Sequence, residues 1–376
     1  MSASAPVVVS AANSAQVTVS TLSPAVRSVI VLAAGQGTRM KSRLPKVLHP
    51  LSGRSLLGHA IAAAADLKPE NLVVVVRHER QAVAAEAKRC YPAAIIVDQD
   101  EIPGTGRAVQ CGLEGAAAAG FPLRGTVFVT SGDVPLLTGE TLAQLGDLHE
   151  RVQAAVSLVT TIVADPTGYG RVVRGADGQV AGIVEHRDAS PAQREIQEIN
   201  AGIYAFDADF LRESLSLLDQ NNDQGEVYLT DLVAIAVRAE KPVQALILED
   251  TWQAAGCNDR AQLADLRAEL NRRICRAHQL NGVSILAPQT TSIDVMVQIE
   301  RDAVIYPCTQ VEGYSRIGEG AQIGPNSMIR NAIIGDAAVI PHGWIEGVTI
   351  ASGQTLPPFT VDTAGVDADA RSRAST

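Results

Sequence analysis

The sequence predicts an α/β protein: a doubly wound domain over residues 27–258, a linker helix over 259–282 and a short parallel β-helix over 283–360. Three observations predict it. Short Val- and Ile-rich runs alternate with helix-like segments as far as Asn258, which is the pattern of strands joined by crossover helices. Next, Leu263, Leu266, Leu270 and Ile274 recur at helical steps until Asn281 and Gly282 stop the helix. Finally Ile293, Ile299, Ile305, Val311, Ile317, Ile323 and Ile329 stand six residues apart, the period of stacked hexapeptide strands.

Taken in order, residues 1–26 carry no charged residue and lack the cationic start of a secretory signal, so a disordered leader is expected. No apolar run reaches membrane-spanning length. The first strand, "VIVLA", is apolar throughout, as a strand buried on both faces must be. It runs into Gly35 and Gly37 and then into Arg39, Lys41, Arg43 and Lys46, a cation cluster in a chain of net charge -10. Glycines let backbone N–H groups approach a ligand, and the cations match an anion. The P-loop and dinucleotide patterns both fail here, because each needs glycine where Met40 stands. Taken alone, the turn fits either a phosphate loop or an ordinary strand-to-helix turn beside a solvated basic face.

"NLVVVV", "AAIIV", "GTVFVT" and "AAVSLVTTIV" read as further strands, with "SLLGHAIAAAADL" and "RQAVAAEAKRC" as helices between them. Such a sheet binds ligands outside the carboxyl ends of its strands, where the glycine turn lies. His278, near the end of the linker helix, reads as a surface histidine. The six-step row continues in a slipped register through Ile334 and Ile340, giving about three triangular coils. His342 reads as a turn residue at a coil corner, and residues 361–376, without a periodic apolar face, as a disordered tail.

Over 376 residues, 46% apolar and only 3% aromatic content indicates cores of small aliphatic side chains. The acidic balance argues against general nucleic-acid binding. Cys90, Cys111, Cys257, Cys275 and Cys308 are odd in number and include no C-x-x-C pair, so they read as reduced and cytoplasmic.

The string L-A-A-G-x-G-T-R-M from Leu32, followed by L-P-K, resembles the signature of the sugar-nucleotide pyrophosphorylases. Within that group, "QDEIPGTGRAV", "FVTSGDVPLL", "DPTGYGRVVRGADGQVAGIVEHRDASPAQREIQEINAGIYAF", "GEVYLTD" and "AAGCNDR" look most like the uridylyltransferase half of the bacterial bifunctional enzymes that make UDP-N-acetylglucosamine. The resemblance implies a Rossmann-like nucleotidyltransferase domain, the linker helix and a left-handed β-helix. It implies that Leu32, Ala33, Ala34, Gly35 and Gly37 wrap a triphosphate, with Arg39 and Lys46 as catalytic phosphate contacts. Gln99, Gly104 and Thr105 would read uracil through directed hydrogen bonds. Asp133 and Asn258 would hold Mg2+, a hard cation that keeps much of its water, although an Asp after a strand is by itself often only a helix cap. Gly170, Glu185, Asn200, Tyr228 and Thr230, with Glu226 beside them, would hold the sugar phosphate. Without the flanking match, Glu185 would read as a solvated charge.

The implied reaction joins UTP and N-acetylglucosamine-1-phosphate, releases pyrophosphate and needs no protein nucleophile. A homotrimer in the cytoplasm is also implied, with no nucleic-acid or membrane partner. The repeats stop near Thr355, about where the family's acetyltransferase residues begin, so acetyl transfer is expected to be missing. Ile102, Pro103, Arg107 and Ser131 depart from the family pattern and leave the sugar choice open. A nucleotidyltransferase for another sugar-1-phosphate or base, and a noncatalytic trimeric scaffold, are the alternative readings.

Overall fold

The computed structural model describes residues 26–364, so the expected leader, Val26 apart, and the tail beyond residue 364 lie outside the described residues. The first domain is built on a nine-stranded sheet. Its strands are β1 (Arg27–Ala33), β2 (Asn71–Val76), β3 (Ile95–Asp98), β4 (Thr126–Ser131), β5 (Val156–Ile162), β6 (Arg171–Arg174), β7 (Val180–Val184), β8 (Glu198–Asp207) and β9 (Val243–Leu248). They run in the order β9-β5-β8-β4-β1-β2-β3, with β6 joined to β8 and paired in turn with β7.

Successive side chains of each central strand enter opposite cores. Ile30, Val73, Val75, Val127 and Val129 pack on one face with Val109 and Leu113 of the helix Thr105–Ala118. Val29, Val31, Val74, Val76 and Phe128 pack on the other. There they meet Leu57 and Ile61 of one helix (Leu56–Asp66) and Leu142 and Leu145 of another (Gly139–Arg151). Burial on both sides is why these strands read as unbroken apolar runs. Ser55 and Thr138 start those last two helices by accepting the amides of Gly58 and Thr141 at 2.9 and 3.2 Å.

β1 lies parallel to β2 and β4, as alternating strands and helices require. β8 differs, entering antiparallel between β4 and β5. Between β5 and β8 the chain makes β6 and β7 in place of a single crossover helix, and β6 runs antiparallel to both β7 and β8.

The linker helix runs from Arg260 to Leu280, with Asp259 as its N-cap. Leu263 and Leu266 bury against Met40, Leu51 and Leu136, while Leu270 packs on the edge of that cluster. His278 is half-buried rather than on the surface, and burial pushes its imidazole below the ordinary value. Asn271 ties the helix to the next domain: its amide donates to the Thr291 carbonyl at 2.8 Å and accepts from the Ile293 N–H at 3.1 Å.

Beyond it, two- and three-residue strands form parallel sheets of four, five and four strands, the left-handed β-helix. The six-spaced aliphatics and Ile334, Ile340, Ile345 and Ile350 all point inward. Four coils are complete and a fifth begins, where the spacing suggested about three. The step shortens to five residues after Ile329, Ile340 and Ile345, which hides the later strands from a six-residue search. The last strand, Val361–Thr363, pairs with Trp344–Glu346, at residues expected to belong to the tail. Its Val361 is exposed, so no inward aliphatic marks it. His342 sits at a coil corner at φ 48°, its ring stacked on Phe359 at 5.2 Å. No helix among the described residues is long and apolar enough to cross a membrane.

A small hairpin of Pro50–Leu51 with Arg54–Ser55 connects the two domains. The carbonyl of Ser52 at its tip accepts from the N–H of Val295 at 3.1 Å, and Arg54 Nη2 reaches Met296 Sδ at 2.9 Å.

Candidate active site

A cleft of about 570 Å³ opens at the carboxyl ends of β1, β2 and β4. Leu32, Ala34, Gly35, Gln99, Gly104, Thr105, Asp133, Gly170, Glu185, Asn200, Thr230 and Asn258 line it, together with Glu226. Ala33 is buried in the sheet core, and Gly37, Arg39 and Lys46 are not part of the lining, although Arg39 and Lys46 bond to Asn258 and Asp133, which are. Gly37 has φ 64°, and a Cβ there would overlap Lys46 Cβ, so the turn and the lysine segment are in van der Waals contact. Pro45 introduces the short 3-10 turn Lys46–Leu48.

Lys46 Nζ makes an ion pair with Asp133 Oδ2, and Ser131 Oγ donates to Asp133 Oδ1 at 2.6 Å. Arg39 Nη2 donates to Asn258 Oδ1 at 2.7 Å. The Cys257 N–H donates to the Asp133 carbonyl at 2.9 Å, which fastens the Asn258 loop beside Asp133. Two hard oxygen donors thus sit next to each other, each met by one of the protein's own cations. No cluster of three or more His, Cys, Asp or Glu side chains suited to a metal occurs among the described residues. A carboxylate and an amide oxygen, completed by phosphate and water, fit magnesium.

At one end of the cleft, Gln99 Nε2 donates to the carbonyls of Ile102 and Gly104 at 2.9 and 3.3 Å. Carbonyls only accept, so these bonds fix the amide's orientation and leave Oε1 as its acceptor. Gly104 has φ 120°, and a Cβ there would overlap the backbone of Val227. Val227 is zipped to the same turn: its N–H donates to the Pro103 carbonyl at 3.0 Å and its carbonyl accepts from Gly106 at 2.9 Å. Thr105 Oγ1 accepts from the Leu229 N–H at 3.2 Å.

Arg77 and His78, which sequence reasoning missed, also line this end. Their signal was available, since they follow the all-valine run of β2 at its carboxyl end. Arg107 is not on the cleft wall; its Nε pairs with Asp100 at 2.9 Å.

At the other end, the Asn200 N–H donates to the Gly170 carbonyl at 2.9 Å and Asn200 Nδ2 donates to Tyr204 Oη at 2.6 Å. The register of β8 on β5 shifts between Asn200 and Tyr204, a bulge that places both on the cleft. Thr230 Oγ1 donates to Glu185 Oε1 at 3.2 Å, and burial pushes the Glu185 carboxyl above its ordinary value. Tyr169 and Gly202 add to this wall and were not foreseen.

Tyr228 is not brought to the cleft. Val227 and Leu229 on either side of it are bonded to the Gly104 turn, and Tyr228 turns instead to Gln224 at 2.6 Å and Asp188 at 3.3 Å. Burial pushes its phenol up to about 12.

Residues 29–195 match the family described as MobA-like NTP transferase domain. The chain is 48% identical over 333 residues to the bifunctional protein GlmU of Pseudarthrobacter chlorophenolicus, covering 89% of this chain and 68% of that one. It is 49% identical to GlmU of Mycolicibacterium vanbaalenii (89% and 68% covered) and 45% identical to GlmU of Streptomyces avermitilis (93% and 72% covered).

Proposed function

Because the chain belongs to the GlmU family of bifunctional proteins, we propose that it acts as a magnesium-dependent uridylyltransferase, making UDP-N-acetylglucosamine and pyrophosphate from UTP and N-acetylglucosamine-1-phosphate. The observation that carries this reading is the double pairing of Lys46 with Asp133 and Arg39 with Asn258. Two cations and two oxygen donors, far apart in sequence, meet where a triphosphate would cross the rim of the sheet. Lys46 and Arg39 would contact phosphate oxygens, and the oxygens of Asp133 and Asn258 would hold the metal. Magnesium supplies further neutralisation of phosphate charge.

An oxygen of the sugar phosphate attacks the α-phosphorus, the bond from that phosphorus to the bridging oxygen breaks, and pyrophosphate leaves with the electron pair. The nucleophile is already an anion, so the protein's part is orientation and charge. Gln99 Oε1 accepts from the N3–H of uracil; cytosine offers a lone pair there and is refused. Glu185, Asn200, Thr230 and the Gly170 backbone orient the sugar.

The test is pyrophosphate release with UTP, magnesium and a panel of N-acetylglucosamine-, glucosamine- and glucose-1-phosphate. Fastest release with the first is expected. No release with any of the three sinks the proposal in favour of a scaffold. No acetyl-transfer role is proposed for the described coils, since His342 is packed on Phe359 at a corner. Acetylation of glucosamine-1-phosphate from acetyl-coenzyme A by the same preparation would overturn that part. The homotrimer and the cytoplasmic placement belong to the same proposal. In favour of self-association, Met328, Trp344 and Val361 form an outward apolar ladder on one β-helix sheet.

A further inference from the structure

Arg171 follows Gly170 directly and is only 1% exposed. A buried guanidinium is ordinarily paired with a carboxylate, but this one is held by neutral groups. Nη1 donates to the Tyr169 carbonyl, Nη2 meets His186 Nδ1 at 3.2 Å, and Nε is buried with no partner. Asp165 and Arg194 are the charged side chains that act on it from neighbouring segments, and Asp165 is itself engaged with the Thr167 N–H at 3.0 Å. Guanidinium has donors and no acceptor. His186 Nδ1 must therefore offer a lone pair, which fixes the ring as neutral with its proton on Nε2.

The two segments joined in this way both reach the cleft. Tyr169 and Gly170 line it from one side, and Glu185, next to His186, from another. The strands agree, because Arg171 stands opposite Val184 in the β6–β7 register. We propose that Arg171 is a positioning residue for the sugar-phosphate end of the cleft, acting through the Tyr169 carbonyl and a neutral His186.

Without the acceptor at His186 Nδ1, Arg171 Nη2 loses its partner and the two cleft segments are no longer joined there. The groups that face His186 are Arg171 and Asp165 from other segments, Arg194, which reaches the Arg187 carbonyl at 3.4 Å, and Glu185, Arg187 and Asp188 on its own. Glu185 is held by Thr230. Of the side chains in this group, His186 is the one hydrogen-bonded to the Arg171 side chain.

The inference rests on the reading of this end as the sugar subsite, and the experiment separates the two. KM for N-acetylglucosamine-1-phosphate and KM for UTP are measured at one neutral pH in the unaltered protein, His186→Phe, His186→Asn and Arg171→Lys. His186→Phe removes the acceptor and is expected to raise the sugar-phosphate KM by about tenfold, the scale of one lost charge-assisted hydrogen bond, while the UTP KM moves less than about twofold. His186→Asn keeps an acceptor near Nδ1 and is expected to restore the sugar-phosphate KM to within about threefold of the unaltered protein. Arg171→Lys, which cannot reach both partners, is expected to raise the sugar-phosphate KM by about tenfold and the UTP KM far less. If Arg171→Lys does not fold, the pair His186→Phe and His186→Asn decides. An unchanged sugar-phosphate KM in His186→Phe, or an equal rise in both KM values, overturns the inference and leaves the uridylyltransferase reading standing. Inactivity of the unaltered protein with every sugar phosphate removes both.

Discussion

Lys46 and Asp133 hold each other with side chains only 14% and 15% exposed, so truncating the lysine leaves a largely buried carboxylate without its cation. Lys46→Ala is expected to lower kcat for pyrophosphate release by roughly 10² to 10³, the usual loss for a preorganised charge donor. Unchanged turnover would remove Lys46 from the mechanism. The glycines separate by what surrounds them. Gly104→Ala forces a Cβ into the Val227 backbone at a φ that side chains rarely adopt, and is expected to cost about 1–3 kcal/mol in urea unfolding and to raise the UTP KM. Gly35, where an added methyl would meet nothing within 4 Å, should accept Ala with a stability change below about 0.5 kcal/mol. At this scale the sequence was legible through resemblance: the strings around Lys46, Asp133 and Asn258 named groups that do converge. It did not foresee that Tyr228 faces Gln224 and Asp188, because a matching string does not say which way the middle residue of a turn faces.

Among the elements, the Gly139–Arg151 helix carries His149 into the core, where Nδ1 lies 3.0 Å from Ser157 Oγ and burial pushes the imidazole down to about 4. Between pH 6.5 and 4 the unfolded chain takes up this proton and the folded one does not. The contribution is thus complete above pH 6.5 and is lost as the pH falls through that window, with a ceiling of about 3 kcal/mol. His149→Gln is expected to flatten this part of the stability-against-pH curve in urea titrations. Asn271 is the clamp between the linker helix and the first coil, and Asn271→Leu, which strands the Thr291 carbonyl and the Ile293 amide, should cost about 2 kcal/mol. Strands buried on both faces and inward isoleucines were readable because a single face or period dictates them. The antiparallel sense of β8 was not, since it depends on which neighbour it meets and not on its own composition.

For the whole molecule, the proposed trimer is checked by light scattering, with three chains as the expected mass. Trp344→Glu, placing charge in the ladder that runs from Met328 to Val361, is expected to shift the mass toward one chain. The order of α/β domain, helix and β-helix was visible in the change of apolar period. How the pieces touch was not, because the Ser52–Val295 and Arg54–Met296 contacts involve side chains and backbone with no periodic signature. Those contacts have a mechanical outcome. The segment that leaves Lys46 is anchored at its far end on the first coil, with Gly53 pressed so closely on Asp294 that an added methyl would stand 2.9 Å from it. The coil therefore works as a buttress for a lysine some distance away: a fragment ending after the linker helix retains all the groups proposed to meet the nucleotide, yet frees one end of the span that carries the ammonium.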